Sequence, residues 1–130
     1  MYTSKQEVFD KVSGHLARQK VAAVDGDGDC ALRAPQGLSC AVGCLIPDED
    51  YDAGMECDSI VNEEGGKGRL GLWLYRNVDK GLYELLVSLQ NAHDEKSDWG
   101  YQLNGVANSF ALTFDQEDFE RKLADPEFCY

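Results

Sequence analysis

Two short apolar runs flank Pro35-Gln36-Gly37, and their pairing is the tightest constraint on the fold. Proline suits position i+1 of a type I turn and glycine position i+3. The spacing therefore predicts a three-residue hairpin loop with Gly37 left-handed. In that register Ala34 faces Leu38, Leu32 faces Cys40 and Cys30 faces Val42. All six are apolar and share one face, while Ala31, Arg33, Ser39 and Ala41 fall on the other. A two-residue loop would mix the two sets, because a one-residue slip turns every side chain to the opposite face. We expect strands at 30–34 and 38–42. A further short strand at 21–24 precedes the turn-rich Asp25-Gly26-Asp27-Gly28-Asp29.

Helices are expected on either side. Ser4-x-x-Glu7 is a capping box, and Val8, Phe9, Val12 and Leu16 follow at helical spacing with His15 beside them. Gly14 costs this helix ~1 kcal/mol relative to alanine without breaking it. Pro47 suits the first position of a helical turn, and the acids after it suit the positive end of a helix dipole, so one or two turns are expected over 47–55. The apolar stretch 70–75 fits a helix or a strand. Asp79 is placed to cap a helix carrying Leu82, Leu85, Leu86, Leu89 and His93. Ser97 is placed to cap another, carrying Trp99, Leu103, Val106, Ala107 and Phe110. Asp115 caps a last helix, with Phe114 and Phe119 as a hydrophobic staple, and Asp125-Pro126 ends it. The expected fold class is α+β: a small antiparallel β-sheet, its hairpin turning at 35–37, packed by four or five helices. At 130 residues, with no internal repeat and no long linker, the expectation is a single domain spanning 1–130.

Charge bounds the partners. Twenty-four acids against twelve bases give −12. Such a surface repels phosphate backbones and anionic membranes, so no direct nucleic-acid binding and no membrane partner are expected. No apolar run approaches ~18 residues, and the first residues lack a secretory apolar region, which argues for an intracellular protein. The charge is uneven. Between Arg33 and Lys67 there is no base, but there are Asp48, Glu49, Asp50, Asp52, Glu56, Asp58, Glu63 and Glu64. A single-sign field of this kind opposes folding by self-repulsion, and a basic partner would relieve it.

The groups that could carry chemistry each have a plainer reading. Five cysteines and no secretory signal argue against a disulfide framework. Cys30, Cys40 and Cys44, with Cys57 or His93, could form a closed zinc site. The hairpin register instead turns Cys30 and Cys40 onto an apolar face, where cysteine packs as a small hydrophobe. A cysteine nucleophile with His93 as base would need an orienting carboxylate, and Asp94 is expected to be badly placed as the immediate neighbour of His93. Asp25-Gly-Asp-Gly-Asp starts like a calcium loop, but Cys30 stands where glycine is needed and Gln36 where a bidentate glutamate is needed. Gly65-Gly66-Lys67-Gly68 lacks phosphate-loop spacing. No cofactor and no metal are expected.

The run Cys30-Ala-Leu-Arg-Ala-Pro-Gln-Gly-Leu-Ser-Cys-Ala-Val-Gly-Cys-Leu-Ile-Pro-Asp, followed by Tyr51 and Met55-Glu56, resembles a family of small uncharacterised proteins of bacteria, phages and prophages. Their pattern is roughly C-x-Y-R-x-P-x-G-x-x-C-A-x-G-C-L-I-P-D. The likeness extends to Lys5-Gln6-Glu7-Val8-Phe9-Asp10 and Leu89-Gln90-Asn91-Ala92-His93-Asp94, and Leu32 departs from it. The resemblance implies a phage-type context in the cytoplasm of a bacterial host cell and no defined reaction. From it we expect a small acidic accessory protein acting by protein–protein interaction. Such a protein would inhibit a host defence complex (CRISPR-type, hence an anti-CRISPR or other anti-defence protein) or a nucleic-acid-binding complex. Its partner surface would be Asp48, Glu49, Asp50, Asp52 and Glu56, set against a basic site on a host protein. The alternative is a zinc-binding module or a cysteine-dependent hydrolase built on Cys30, Cys40, Cys44 and His93.

Overall fold

The structure is a computed structural model that describes residues 1–26, 31–57, 68–95 and 97–130, with the backbone alone at Cys57. Its first element is α1, Lys5–Gln19. The Ser4 hydroxyl accepts the Glu7 N–H at 3.2 Å, as the capping box requires. Val8, Phe9, Val12 and Leu16 are completely buried. Each such side chain contributes about 1.5–3 kcal/mol when removed from water. The helix stops at Lys20, which takes a left-handed φ of 69°. Its ammonium donates to the carbonyls of Ala17, Lys122 and Leu123 at 3.0, 2.7 and 3.0 Å. A single cation thereby satisfies open carbonyls at the ends of two helices.

The hairpin forms in the expected register, with Arg33 opposite Ser39 and Ala34 opposite Leu38. Its strands, β1 (Arg33–Ala34) and β2 (Leu38–Ser39), are much shorter than 30–34 and 38–42. Two competing sets of bonds explain this. The N–H groups of Leu32 and Arg33 donate to the Glu56 carboxylate at 2.8 and 3.0 Å, so they are lost to a longer ladder. After Ser39 the chain coils: Cys44 N–H reaches the Cys40 carbonyl at 3.0 Å, and Val42 has helical angles. The expected Leu32–Cys40 and Cys30–Val42 pairs therefore do not extend the sheet, and Cys30 lies outside the described residues. The turn also differs. Gln36 joins Gly37 in the left-handed region, at φ 68° and 75°, so the residue after Pro35 takes the position characteristic of a type II turn.

Burial on both faces of the hairpin follows from what packs there. Ser39 and Ala41, assigned to the outer face, are as buried as Cys40 and Val42. α1 grips one side through Ser39, and a later helix grips the other through Val42. Among the described residues, segment 21–24 forms no β-ladder with β1 or β2, and Val24 alone is a bridge residue. Its Ala23 N–H donates to His93 at 3.1 Å, and its Ala23 carbonyl accepts from Ala31.

The ambiguous 70–75 stretch is helical, within α2 (Gly68–Asn77). Leu70, Trp73 and Leu74 face inward and Leu72 outward. Asp79 caps a short 3-10 turn, Lys80–Leu82, that leads into α3 (Tyr83–Asp94). Leu82, Leu85, Leu86, Leu89 and His93 form the expected buried stripe. α4 (Trp99–Ser109) is capped by Asp98, one residue later than expected, while the Ser97 hydroxyl bonds to Glu95. α5 (Gln116–Ala124) is capped by Asp115, and the Phe114 and Phe119 rings lie 5.7 Å apart as the staple. Over 47–55 the expected helical turns shrink to a hydrogen-bonded turn at 47–51 and a 3-10 segment, Ala53–Cys57. The protein is thus α+β, and among the described residues five α-helices surround a two-stranded antiparallel hairpin. Among the described residues no helix is long and apolar enough to cross a membrane.

Candidate functional site

The distinctive central run folds around one arginine. Arg33 donates through Nη2 to the Ile46 carbonyl at 2.6 Å, and its Nη1 lies 3.0 Å from the Asp48 carboxylate. The guanidinium carbon stands 5.1 Å from the centre of the Tyr51 ring, a cation–π distance. Tyr51 in turn donates its hydroxyl to Glu56 at 2.5 Å. Burial, and next the bond to Glu56, push the Tyr51 phenol up to about 12. One carboxylate thus accepts from a phenol and two consecutive backbone N–H groups. It joins the turn after Pro47 to the start of β1.

This hub shapes the acidic turn. Asp50 and Tyr51 N–H groups close onto the Pro47 carbonyl at 3.0 and 3.2 Å. Asp50 Oδ2 accepts the Trp73 indole N–H at 3.0 Å. Asp52 accepts the Gly54 N–H at 2.7 Å and pairs with Arg69. Those two contacts, the Gly54 bond first, hold its carboxyl below the usual range. Asp48, Glu49, Asp50 and Asp52 are all exposed, and the Asp48 side chain is 93% exposed despite its pairing. Glu56 stands apart from the other four. It is half-buried and turned inward, because three donors converge on it. The expected five-residue partner surface is therefore four outward carboxylates positioned by a fifth.

The flanking runs act on loops in a similar way. Gln6 pairs its amide with the Thr113 peptide, at 2.9 Å in each direction. Gln19 does the same to Ser39, at 2.8 and 2.9 Å. Gln90 accepts from Val42 at 3.3 Å and donates to Asp94 at 3.2 Å. A carboxamide has the donor–acceptor pattern of a peptide group, so it can pair with loop backbone that no strand reaches.

Both histidines are built into this framework. His15 Nε2 lies 2.8 Å from the Ser39 carbonyl, and Nδ1 lies 2.6 Å from the Tyr130 hydroxyl. The carbonyl can only accept, so Nε2 carries the hydrogen and Nδ1 accepts from Tyr130. Burial lowers the His15 pKa, with the Ser39 carbonyl opposing. His93 is completely buried, and its Nε2 accepts from Ala23, which puts the ring hydrogen on Nδ1. Nδ1 lies 3.1 Å from Asp94 Oδ1. Asp94 does orient its neighbour, contrary to the expectation from adjacency, because the helix end lets the side chain fold back. A base needs an open nitrogen, and Nε2 of His93 is engaged by a backbone amide.

The described cysteines are equally local. Cys40 accepts the Gly43 N–H at 3.3 Å, and the Cys44 thiol donates to the Ala41 carbonyl at 3.1 Å. Burial pushes the Cys44 thiol up to about 12, so it is not a thiolate at neutral pH. Among the described residues no three His, Cys, Asp or Glu side chains gather as metal ligands. Cys30 and the Cys57 side chain lie outside that description.

Compared with protein-family models, curated proteins and solved structures, the chain matches none. The reading of its function therefore rests on its own residues. Arg33, Trp73 and Arg69 each contact a carboxylate of the acidic turn, yet pattern alone did not single them out. The available signal was Arg33, the last base before a stretch of acids, which pairs with the first of them, Asp48.

Proposed function

We propose that the protein acts by protein–protein interaction, presenting Asp48, Glu49, Asp50 and Asp52 to a basic surface on its partner. The observation that carries this reading is the bonded setting of the turn: four exposed carboxylates within five residues, on a turn tied down through Arg33, Glu56 and the Trp73 indole. A flexible acidic tail would lose conformational entropy on docking, whereas a pinned turn has less to lose. The net charge of −12 adds long-range attraction to a basic target. A basic host site built for nucleic acid fits this chemistry. The likeness to phage and prophage proteins favours such a site in a host defence complex, including one of CRISPR type, within the bacterial cytoplasm.

The test is capture of partners from a bacterial lysate, followed by affinity measurement with the purified partner at two salt concentrations. The comparison is a variant with Asp48, Asp50 and Asp52 changed to Asn and Glu49 to Gln. The reading expects weaker binding by the variant, a slower on-rate for both proteins at high salt, and an unchanged thermal melt. Equal affinity of variant and parent, with equal melts, would leave the turn as a solvated surface and end this reading.

A further inference from the structure

The acidic turn and α2 border an open surface cleft of about 570 Å³, walled by Asp50 and Asp52 on one side and by Arg69 and Arg76 on the other, with Met55 and Trp73 among its apolar lining. Arg69 reaches across it. Its Nη1 lies 2.5 Å from Asp52 Oδ2, although its side chain is 65% exposed. The shape of the turn makes room for that reach. A Cβ at Gly54 would stand 2.8 Å from Arg69 Cδ, 3.0 Å from Nε and 3.1 Å from Asp52 Oδ1, so a side chain there would push the arginine from this position. The Gly54 N–H also fixes the other oxygen of Asp52. Arg76, two turns along the same helix, makes no ion pair with the described residues.

We propose that this cleft is the seat of a basic side chain from the partner, and that Arg69 fills it in cis as an internal competitor. The proposal rests on the docking role of the acidic turn and names the chemistry that docks: a guanidinium. The cleft already holds one, bonded to a single oxygen of Asp52 beside Gly54. An exposed ion pair of this kind exchanges readily, because water and salt screen it. A partner arginine presented at high local concentration would displace Arg69, which can swing into solvent on its own flexible stem. Asp50, whose Oδ2 accepts from Trp73 and whose other oxygen has no bond among the described residues, offers a second acceptor to the incoming group. The internal pair would also lower affinity for stray basic peptides, a penalty that a correctly shaped partner overcomes.

The probe is a hexa-arginine peptide, titrated by calorimetry and followed at the Trp73 indole N–H by NMR. Arg76→Gln measures what removing a cation from the same cleft wall does to binding when no ion pair across the cleft is lost. Arg69→Gln is expected to tighten binding at least threefold beyond Arg76→Gln. Gly54→Ala, which changes no charge, is expected to tighten binding by dislodging Arg69, and Asp52→Asn added to it should cancel the gain. Equal effects of Arg69→Gln and Arg76→Gln would overturn the proposal, and this comparison decides if the glycine variant folds poorly or disagrees. The four-residue neutralised variant separates the two levels. If it binds the peptide more weakly while Arg69→Gln equals Arg76→Gln, only the competitor falls. If it binds as tightly as the parent, the docking role of the turn falls with it.

Discussion

Changing Glu56 to Ala removes the acceptor on which three donors converge, the N–H groups of Leu32 and Arg33 and the Tyr51 hydroxyl. A hydrogen bond to a charged group is worth about 1.5–3 kcal/mol, so three at the low end sum to roughly 4.5 kcal/mol. Glu56 is only half-buried, and water can reach part of the vacated site, which brings the expected loss to about 2–3 kcal/mol. Glu56→Gln keeps one acceptor oxygen and turns an amide N–H₂ toward the remaining donors. It should cost about 1–2 kcal/mol by the same reasoning. Urea unfolding at constant m-value measures both, with Glu49→Ala as the reference for an exposed acid. A second readout does not depend on global stability. The Tyr51 phenol stands at about 12, raised by burial and then by its bond to Glu56, so Glu56→Gln should bring it down toward its ordinary value of 10.0. NMR titration of the Tyr51 ring reports it. If Glu56→Ala costs no more than Glu49→Ala and the Tyr51 titration stays put, the hub does not hold the acidic turn.

Three further expectations concern the framework. Burial lowers the His15 pKa below 6.5, so on acidification the unfolded chain takes up a proton that the folded one refuses. Stability therefore falls as pH drops from 7 through the unfolded value toward the lowered one, and unfolding at pH 7.5 and 5.5 should show a smaller difference in His15→Gln. Among Cys40, Cys44 and Cys129, only the exposed Cys129 should alkylate quickly with iodoacetamide at neutral pH. Peptide mapping that finds Cys44 modified at the same rate would contradict its half-buried, protonated state. A Cβ at Gly43 would sit 2.2 Å from the Leu32 carbonyl oxygen, whereas at Gly105 it would meet nothing within 4 Å. Thermal melts should show Gly43→Ala destabilised by about 3 kcal/mol, the upper end for overpacking, and Gly105→Ala stabilised by about 0.5–1 kcal/mol.

Local chemistry was readable from the chain. Ser4 and Asp115 cap the helices they precede, and the hairpin register follows from alternation and the loop. What escaped was set by distant partners. The strands stop short because Glu56 claims N–H groups 23 and 24 residues away, which no local pattern encodes. Ser97 and Asp98 are both sound caps, and nothing local chooses between them; the structure uses Asp98. Charge grouped Glu56 with four outward acids, yet only three-dimensional convergence of donors shows that it faces inward. The four exposed acids were legible as a set, but Arg69, which occupies one of them, lies across a gap of 17 residues.

The chemistry of the lysines governs how this surface can be displayed. Amine-directed reagents need an accessible nitrogen lone pair. At Lys20 three carbonyls engage the ammonium, and the Lys11 ammonium donates to the Tyr2 hydroxyl at 2.7 Å. Among the described lysines, Lys5 and Lys80 are exposed and so open to attachment to an activated bead. No lysine occurs between Arg33 and Lys67, so no amine bond can be made through the acidic turn itself. Protein immobilised in this way keeps the chemical identity of all four carboxylates, whereas carboxyl-directed coupling would consume the groups whose binding is to be measured.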